Sequence, residues 1–319
     1  IVVGRFADSL AMAAVGSTTS LIHLMVSLLM GLSVGSSVAV ARACGAKDDV
    51  SIHRAVHTSI ALALISGFAL GAAILAFSRS LLELMGCPEN VIEGAALYLK
   101  IYAAGLPASM IYNFGAAILR AVGDTRRPLY FLTVSGIVNI ILNILLVAGL
   151  KLSVAGVAIA TAIAYTVSAA TLFIRLLKTD SVVRVTPRDL AIDPVALKRI
   201  VKIGLPAGIQ SAVFAVANII IQSAINSLGT EVMAASSAAM SLEYVCYNLL
   251  NSFSQACTTF VGQNHGARQI DRCTKTLKVC LVEGGIVALT TIIVIVGLGR
   301  EILSLFNSDP NIVSIGYIR

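Results

Sequence analysis

The stretch from Leu129 to Leu150, LYFLTVSGIVNIILNILLVAGL, decides the fold class, because none of its residues carries a charge. A helix needs roughly 18–20 mainly apolar residues to cross a bilayer core. Backbone groups in lipid must also be hydrogen-bonded within the segment, so such a run forms a helix. The stretch therefore predicts a transmembrane helix, in which the amides Asn139 and Asn143 share one face.

Apolar runs of similar length flank this stretch on both sides. They cover residues 17–43, 55–77, 95–119, 152–174, 200–228, 232–262 and 278–299. The chain is 57% hydrophobic and only 12% charged, about half the charged fraction of a soluble domain. We therefore predict an all-α, multi-pass membrane protein whose surroundings are the lipid bilayer.

The basic residues are distributed unevenly along this predicted topology. In a soluble protein, the net charge of +7 could indicate a nucleic-acid partner. If residues 1–6 end a first helix and the loops alternate sides, one side receives 17 of the 23 Lys and Arg residues. Such asymmetry marks the cytoplasmic side of a membrane protein. We therefore predict a cell-membrane protein without a nucleic-acid partner, with cytoplasmic loops at 42–54, 120–128, 175–202 and 264–278.

The chain also matches itself at an offset of 221 residues. The turn Gly45-Ala46-Lys47 falls on Gly266-Ala267-Arg268, and Asn90-Val91 falls on Asn311-Ile312. Because the offset spans an even number of helices, the two copies have the same orientation, as in transporters built from parallel repeats. We therefore expect two lobes of six helices each.

The repeat divides the chain into three parts. We predict an N-terminal lobe at 1–178, an inter-lobe linker at 179–199 and part of a C-terminal lobe at 200–319, with about nine of twelve helices present. The start of helix 1 and helices 10–12 are expected to lie outside this sequence. The linker ends at Asp193-Pro194, a typical pair of N-cap and first helical residue.

Motifs of enzymes and metal sites give no support for catalysis. The segment GLSVG at 31–35 matches a nucleophile elbow, but that motif requires a strand–turn–helix setting. Inside a membrane span its small residues favour close helix packing. No phosphate-binding loop, paired catalytic groups or metal-ligand spacing occurs, and the six cysteines are scattered. We predict no enzyme activity, no cofactor and no bound metal.

Polar residues inside the predicted spans indicate a pathway, since they are costly in lipid. We expect three stripes to line a central cavity: Asn139 and Asn143 with Thr161; Ser211, Asn218, Gln222 and Asn226; and Glu243, Tyr247, Asn251, Ser254 and Thr258. We predict that Asn139, Asn143, Thr161 and Glu243 couple a cation or proton. Substrate would contact Ser211, Asn218, Gln222, Tyr247 and Asn251. The alternative is that the amides only join helices.

Gly-Leu-Pro occurs twice, and proline removes a helical hydrogen bond and favours a bend. Pro107 lies deep in its predicted span, so we expect a functional bend there. Pro206 lies near the predicted start of its span, where a structural role is the alternative.

Several segments resemble the multidrug and toxic compound extrusion (MATE) transporters. They are GLSVG at 31–35 with ARACGA at 41–46, LRAVGDTRRP at 119–128, NIILN at 139–143, GLP at 204–206 and VGQNHGA at 261–267. The resemblance covers essentially the whole chain and implies cation-coupled antiport of small organic compounds. It also implies a cation site with an Asp in helix 1, which is missing here, an Asn and often an Asp in helix 5, and a Thr in helix 6. Asn139, Asn143 and Thr161 match the last three, with an amide at the Asp position.

Three functions remain open at this point. The first is a rocker-switch antiporter, acting as a monomer, that exports organic compounds, many of them cationic, in exchange for H⁺ or Na⁺. The second is a lipid or lipid-linked oligosaccharide flippase of the same superfamily, which should carry more Arg and Lys within the membrane. The third is a membrane-embedded enzyme or a channel, for which the chain offers neither a catalytic constellation nor a single pore-lining segment.

Overall fold

The computed structural model describes residues 9–85, 87–226, 228, 230–304 and 309–318, and this part of the chain contains no strand. Its α-helices are α1 (Ser9–Gly45), α2 (Asp49–Leu84), α3 (Glu89–Ala121), α4 (Arg126–Asn143), α5 (Ser153–Lys178), α6 (Pro194–Asn226), α7 (Thr230–Gly266), α8 (Ile270–Ser304) and α9 (Pro310–Ile318). The all-α prediction is confirmed. The predicted end of helix 1, at residues 1–6, lies outside the described residues.

Seven of the described helices, α1 to α6 and α8, are long and apolar enough to cross a membrane. The run at 232–262, which we also predicted as an apolar span, forms α7, and α7 does not reach the same hydropathy. Glu243, Asn248, Asn251 and Gln255 lie in its central turns, and strongly polar side chains of this kind lower the mean hydropathy of a helix. Helix α7 is therefore long enough to cross a membrane, but one of its faces is polar over much of its length.

The predicted repeat is confirmed by the ends of the helices. The ends of α1 and α7 differ by 221 positions, and so do the starts of α2 and α8 and of α3 and α9. Even the turn is reproduced, because Lys47 and Arg268 both have a positive φ, of 54° and 58°. In that turn the Asp48 N–H bonds the Ala43 carbonyl, and the equivalent Gln269 N–H bonds the Asn264 carbonyl.

Asp48 also caps the start of α2. Its carboxylate accepts hydrogen bonds from the hydroxyl of Ser51 at 2.6 Å and from the backbone N–H of Ser51 at 3.0 Å. These bonds hold the pKa of Asp48 below its usual value, because they favour the ionised form. A charged cap of this kind satisfies backbone donors that the first turn of a helix leaves open.

The described residues divide into two compact units, 1–215 and 216–319. In the first unit, α3 is the central helix and packs on α1, α2 and α5. Leu106, Met110 and Phe114 of α3 are completely buried. In the second unit, α7 packs on α8 and α9.

The segment predicted as the inter-lobe linker is docked on the first unit. The buried side chains of Val183 and Val185 join the apolar core of that unit, and the Val185 N–H bonds the Leu176 carbonyl at 2.9 Å. Where α6 begins, Asp193 accepts a hydrogen bond from the Ala196 N–H at 2.8 Å, which confirms the predicted N-cap. The predicted linker is therefore held against the first unit.

Glycines bring α1 and α6 into direct backbone contact. A side chain at Gly31 would collide with the backbone of Gly208, and one at Gly35 would collide with the backbone of Ile200 and Gly204. The two Gly-x-x-x-Gly segments therefore pack against each other, as small residues do in membrane helices. The packing interpretation of GLSVG is confirmed.

Both prolines lie inside continuous helices, Pro107 in α3 and Pro206 in α6. Helix α6 begins at Pro194, six residues before the predicted 200, so Pro206 is not near its start as we expected. Gly67 of α2 packs against the backbone of Pro107. A functional bend at either position remains a prediction.

We predict that Gly31→Ala lowers the melting temperature of the purified protein. The added methyl meets backbone atoms of α6, which cannot rotate away, and overpacking of this kind typically costs about 1–3 kcal/mol. Gly136→Ala is the matched control, because nothing lies within 4 Å of its new methyl. Equal melting temperatures for the two variants would contradict the glycine contact.

Candidate functional site

The paired amides of α4 form the first part of the candidate site. The Asn143 side-chain amide donates to the Asn139 backbone carbonyl and to its side-chain oxygen, both at 2.9 Å. Both side chains are half-buried. The structure therefore orients the two amides together, and the amide oxygen of Asn143 is not used in either bond.

A π-helical segment, Ile144–Gly149, directly follows Asn143. Its wider turns are seen in the bond from the Leu150 N–H to the Leu145 carbonyl at 2.9 Å. Single π-helical turns of this type are rare and often occur at functional sites. This feature gives an independent reason to regard the end of α4 as functional.

A buried hydrogen bond fixes the register between α4 and α5. The Ser135 hydroxyl donates to the Ala164 carbonyl at 2.6 Å. One turn further along α4 is Asn139, and one turn back along the antiparallel α5 is Ala160, the neighbour of Thr161. The register therefore places Asn139 at the level of Thr161, as the cation-site prediction requires.

A tyrosine cluster, Tyr98, Tyr102 and Tyr165, continues this polar region. The Thr161 hydroxyl donates to the Val157 carbonyl at 2.9 Å, and its side chain also interacts with Tyr98. Tyr98 stacks on Tyr102 at 6.2 Å between ring centres, and the Tyr102 and Tyr165 hydroxyls lie 3.3 Å apart.

Sequence reasoning missed the tyrosine cluster, although a signal was present. Tyr98 and Tyr102 are one turn apart on α3, and Thr161 and Tyr165 are one turn apart on α5. The two residues of each pair therefore lie on the same face of their helix, and each side chain carries a hydroxyl group. Only the packing of α3 on α5 reveals that these two stripes meet.

The amides, the threonine and the tyrosines are all uncharged and supply oxygen atoms as ligands. Oxygen is the donor that hard cations prefer. Their chemistry therefore suits a small cation held by neutral oxygens, and that role for Asn139, Asn143 and Thr161 remains a prediction.

The predicted substrate residues of α6 lie on the face that packs against α1. Ile200, Gly204 and Gly208 form the buried part of this face. By helical spacing, Ser211, Asn218 and Gln222 continue the same face towards the helix end. Ser211 is exposed and donates to the Ala207 carbonyl at 3.0 Å, whereas Asn218 and Gln222 are half-buried.

The predicted stripe of α7 is present as one helix face in the second unit. Glu243 and Tyr247 are exposed, and Asn251 is half-buried. The described residues therefore leave Glu243 accessible and do not enclose it. Its proposed coupling role remains a prediction.

One group of possible metal ligands, His53, His57 and Asp189, has a structural role. The buried His57 Nε2 accepts a hydrogen bond from the Thr186 N–H at 3.0 Å, so its proton resides on Nδ1. Nδ1 then donates to the His53 carbonyl at 2.8 Å. Because both ring nitrogens are engaged, His57 holds the linker on α2 and is not available as a metal ligand.

The comparisons with known proteins all point to one family. The model of the family MatE matches residues 1–145 and 206–318. The "Probable multidrug resistance protein YoeA" of Bacillus subtilis (strain 168) is 30% identical over 99% of this chain and 70% of its own length. The "FAD transporter" of Shewanella oneidensis is 25% identical over 95% of this chain and 68% of its own length.

A solved structure has the same fold. The crystal structure of MATE in the bent conformation superposes with a TM-score of 0.88 at 25% identity. The match covers 97% of this chain and 70% of the solved chain.

A double-mutant cycle on the tyrosine cluster tests the geometry of the site. Removing either hydroxyl leaves the other without its partner, so Tyr102→Phe and Tyr165→Phe should be non-additive in unfolding free energy, with a coupling of about 1 kcal/mol. Tyr112→Phe, which removes a bond to the Pro128 carbonyl, should be additive with Tyr165→Phe. Additivity in both cycles would contradict the hydroxyl contact.

Proposed function

Because the chain belongs to the MATE family of transporters, we propose that it exports small organic compounds in exchange for Na⁺ or H⁺ by alternating access. The observation that carries the proposal is the neutral oxygen site at the end of α4. There the Asn139–Asn143 pair directly precedes a π-helical segment, and the Ser135–Ala164 bond sets Thr161, which interacts with Tyr98, at the level of Asn139. Polar groups are costly in lipid, so several of them within one span usually mark a functional pathway.

In this proposal, the cation binds among the oxygens of α4 and α5. Amide and hydroxyl oxygens replace part of the hydration shell of a monovalent cation, as carbonyl oxygens do in channel filters. A bound cation would favour one of two conformations only by the difference between its affinities for them. The cation gradient would thereby drive the conformational cycle that moves substrate outwards.

Glu243 of α7 would take part in substrate or proton exchange. It is the acid in the middle of the polar face that also carries Tyr247 and Asn251. An acid beside a tyrosine and an amide offers an organic cation both charge and a flat ring surface. This chemistry favours cationic compounds as substrates.

Two alternative functions, lipid flipping and the transport of anionic cofactors, are less well supported. A relative is named as an FAD transporter, and an anionic substrate would require fixed basic groups to hold its phosphates. The polar faces of α6 and α7 instead carry amides, hydroxyls and one acid, Glu243. The names of the relatives "Probable multidrug resistance protein YoeA" and "Multidrug export protein MepA" also support drug efflux.

Asn143→Ala tests the cation site in efflux assays with an organic cation dye. Loss of one ligand worth 1.4 kcal/mol should weaken cation binding about tenfold, so efflux falls at limiting Na⁺ or H⁺ and recovers at high concentration of the coupling ion. Asn248→Ala is the control, because Asn248 makes the same bond to the carbonyl one turn back. The site assignment fails if Asn143→Ala retains the wild-type dependence on both ions.

Glu243→Gln should abolish gradient-driven dye efflux while leaving the amount of folded protein unchanged. The substitution keeps the shape of the side chain and removes its charge. Glu283→Gln is the matched control, because Glu283 lies on α8, away from the polar face of α7, and is also exposed. Unchanged efflux in Glu243→Gln would exclude this acid from the mechanism.

A further inference from the structure

Helix α6 has a second face, which is exposed in the described part of the chain and has no role in the proposed transport. By helical spacing, Val195, Lys198, Lys202, Leu205, Ile209 and Val213 lie on the side opposite to Ile200, Gly204 and Gly208. We call these six residues the outer face of α6. All six side chains are exposed.

The orientation of this face is fixed by the opposite one. Ile200 is completely buried in the core of the first unit, and Gly204 and Gly208 are in backbone contact with α1. Helix α6 therefore cannot rotate to bury its outer face. Its apolar part remains open over Leu205, Ile209 and Val213, which are 42%, 50% and 64% exposed.

The two lysines stand at one end of the outer face, one turn apart. In the described part of the chain, neither Lys198 nor Lys202 forms an ion pair with a carboxylate. Two acids of the preceding linker, Asp189 and Asp193, are engaged elsewhere. Asp193 caps α6 and lies 3.8 Å from Arg54, and Asp189 lies 3.7 Å from His53.

The docking of the linker therefore separates the charges. It directs Asp189 and Asp193 towards α2 and leaves the lysines of the outer face uncompensated. Arg199, between the two lysines in sequence, interacts electrostatically with Asp48 and by helical spacing does not belong to this face. The result is a cationic end followed directly by an apolar stripe on one helix.

We propose that the outer face of α6 binds an anionic phospholipid. Lys198 and Lys202 would hold the phosphate, and Leu205, Ile209 and Val213 would contact an acyl chain. The order of the residues matches the order of a lipid, with charge at the helix end and apolar side chains deeper along the helix. An acidic peptide would use the lysines but would leave the apolar stripe uncovered. The charge distribution of the loops predicts that this lipid lies in the cytoplasmic leaflet.

The proposal predicts that the protein binds an anionic phospholipid more tightly than one without net charge. A lysine near an anionic membrane surface adds about fivefold to affinity, so two lysines should give roughly 30-fold. Titration of the purified protein in neutral detergent, with melting temperature as the readout, compares short-chain phosphatidylglycerol with short-chain phosphatidylcholine. We expect the half-saturating concentration to be roughly 30-fold lower for phosphatidylglycerol.

The double variant Lys198→Gln and Lys202→Gln should abolish this preference. Its control is Lys100→Gln with Lys151→Gln, which removes the same charge from two exposed lysines on the opposite predicted side. The control should keep the wild-type preference. Equal preference in both double variants, or equal loss in both, would overturn the proposal.

Two further experiments distinguish a lipid phosphate from free phosphate and test the contribution of the apolar stripe. Inorganic phosphate at the same concentrations should give no shift, and a shift as large as that of the lipid would mean a free-anion site instead. Ile209→Asn should weaken phosphatidylglycerol binding although both lysines remain. Unchanged binding in this variant would mean that the stripe does not contact the acyl chain, which would overturn the lipid assignment.

Discussion

The requirement that every backbone polar group in lipid be hydrogen-bonded within its own segment determines most of this structure. It makes each apolar run of the described residues a helix. Side-chain hydroxyls follow the same rule, because Ser59, Thr166 and Thr258 each donate to a carbonyl one turn back on their own helix. The bonds between the Asn139 and Asn143 side chains and between Tyr102 and Tyr165 instead join one side chain to another.

The inner and outer faces of helix α6 have different roles. Its inner face begins with glycines that contact α1 and continues with Ser211, Asn218 and Gln222. Its outer face carries lysines and then apolar side chains that no described residue covers. Packing of the glycines therefore orients the surface proposed for lipid, and Ser211 lies on the inner face by helical spacing.

Much of the fold could be predicted from the sequence, because hydropathy and helical periodicity are local properties. The offset of 221 predicted the equivalent turns at Lys47 and Arg268, and Asp193-Pro194 predicted the start of α6. The tyrosine cluster could not be predicted in this way, because periodicity shows which residues share a face and not which faces meet. For the same reason, the docking of the linker through His57 became visible only in the structure.

Transport by the purified protein in liposomes tests the central claim most directly. An organic cation dye is placed outside, and Na⁺ and H⁺ gradients directed out of the liposomes are imposed separately. The account predicts that the dye accumulates with at least one of the two gradients and that this gradient dissipates faster in the presence of dye. Accumulation that is the same with and without either gradient would contradict cation-coupled antiport.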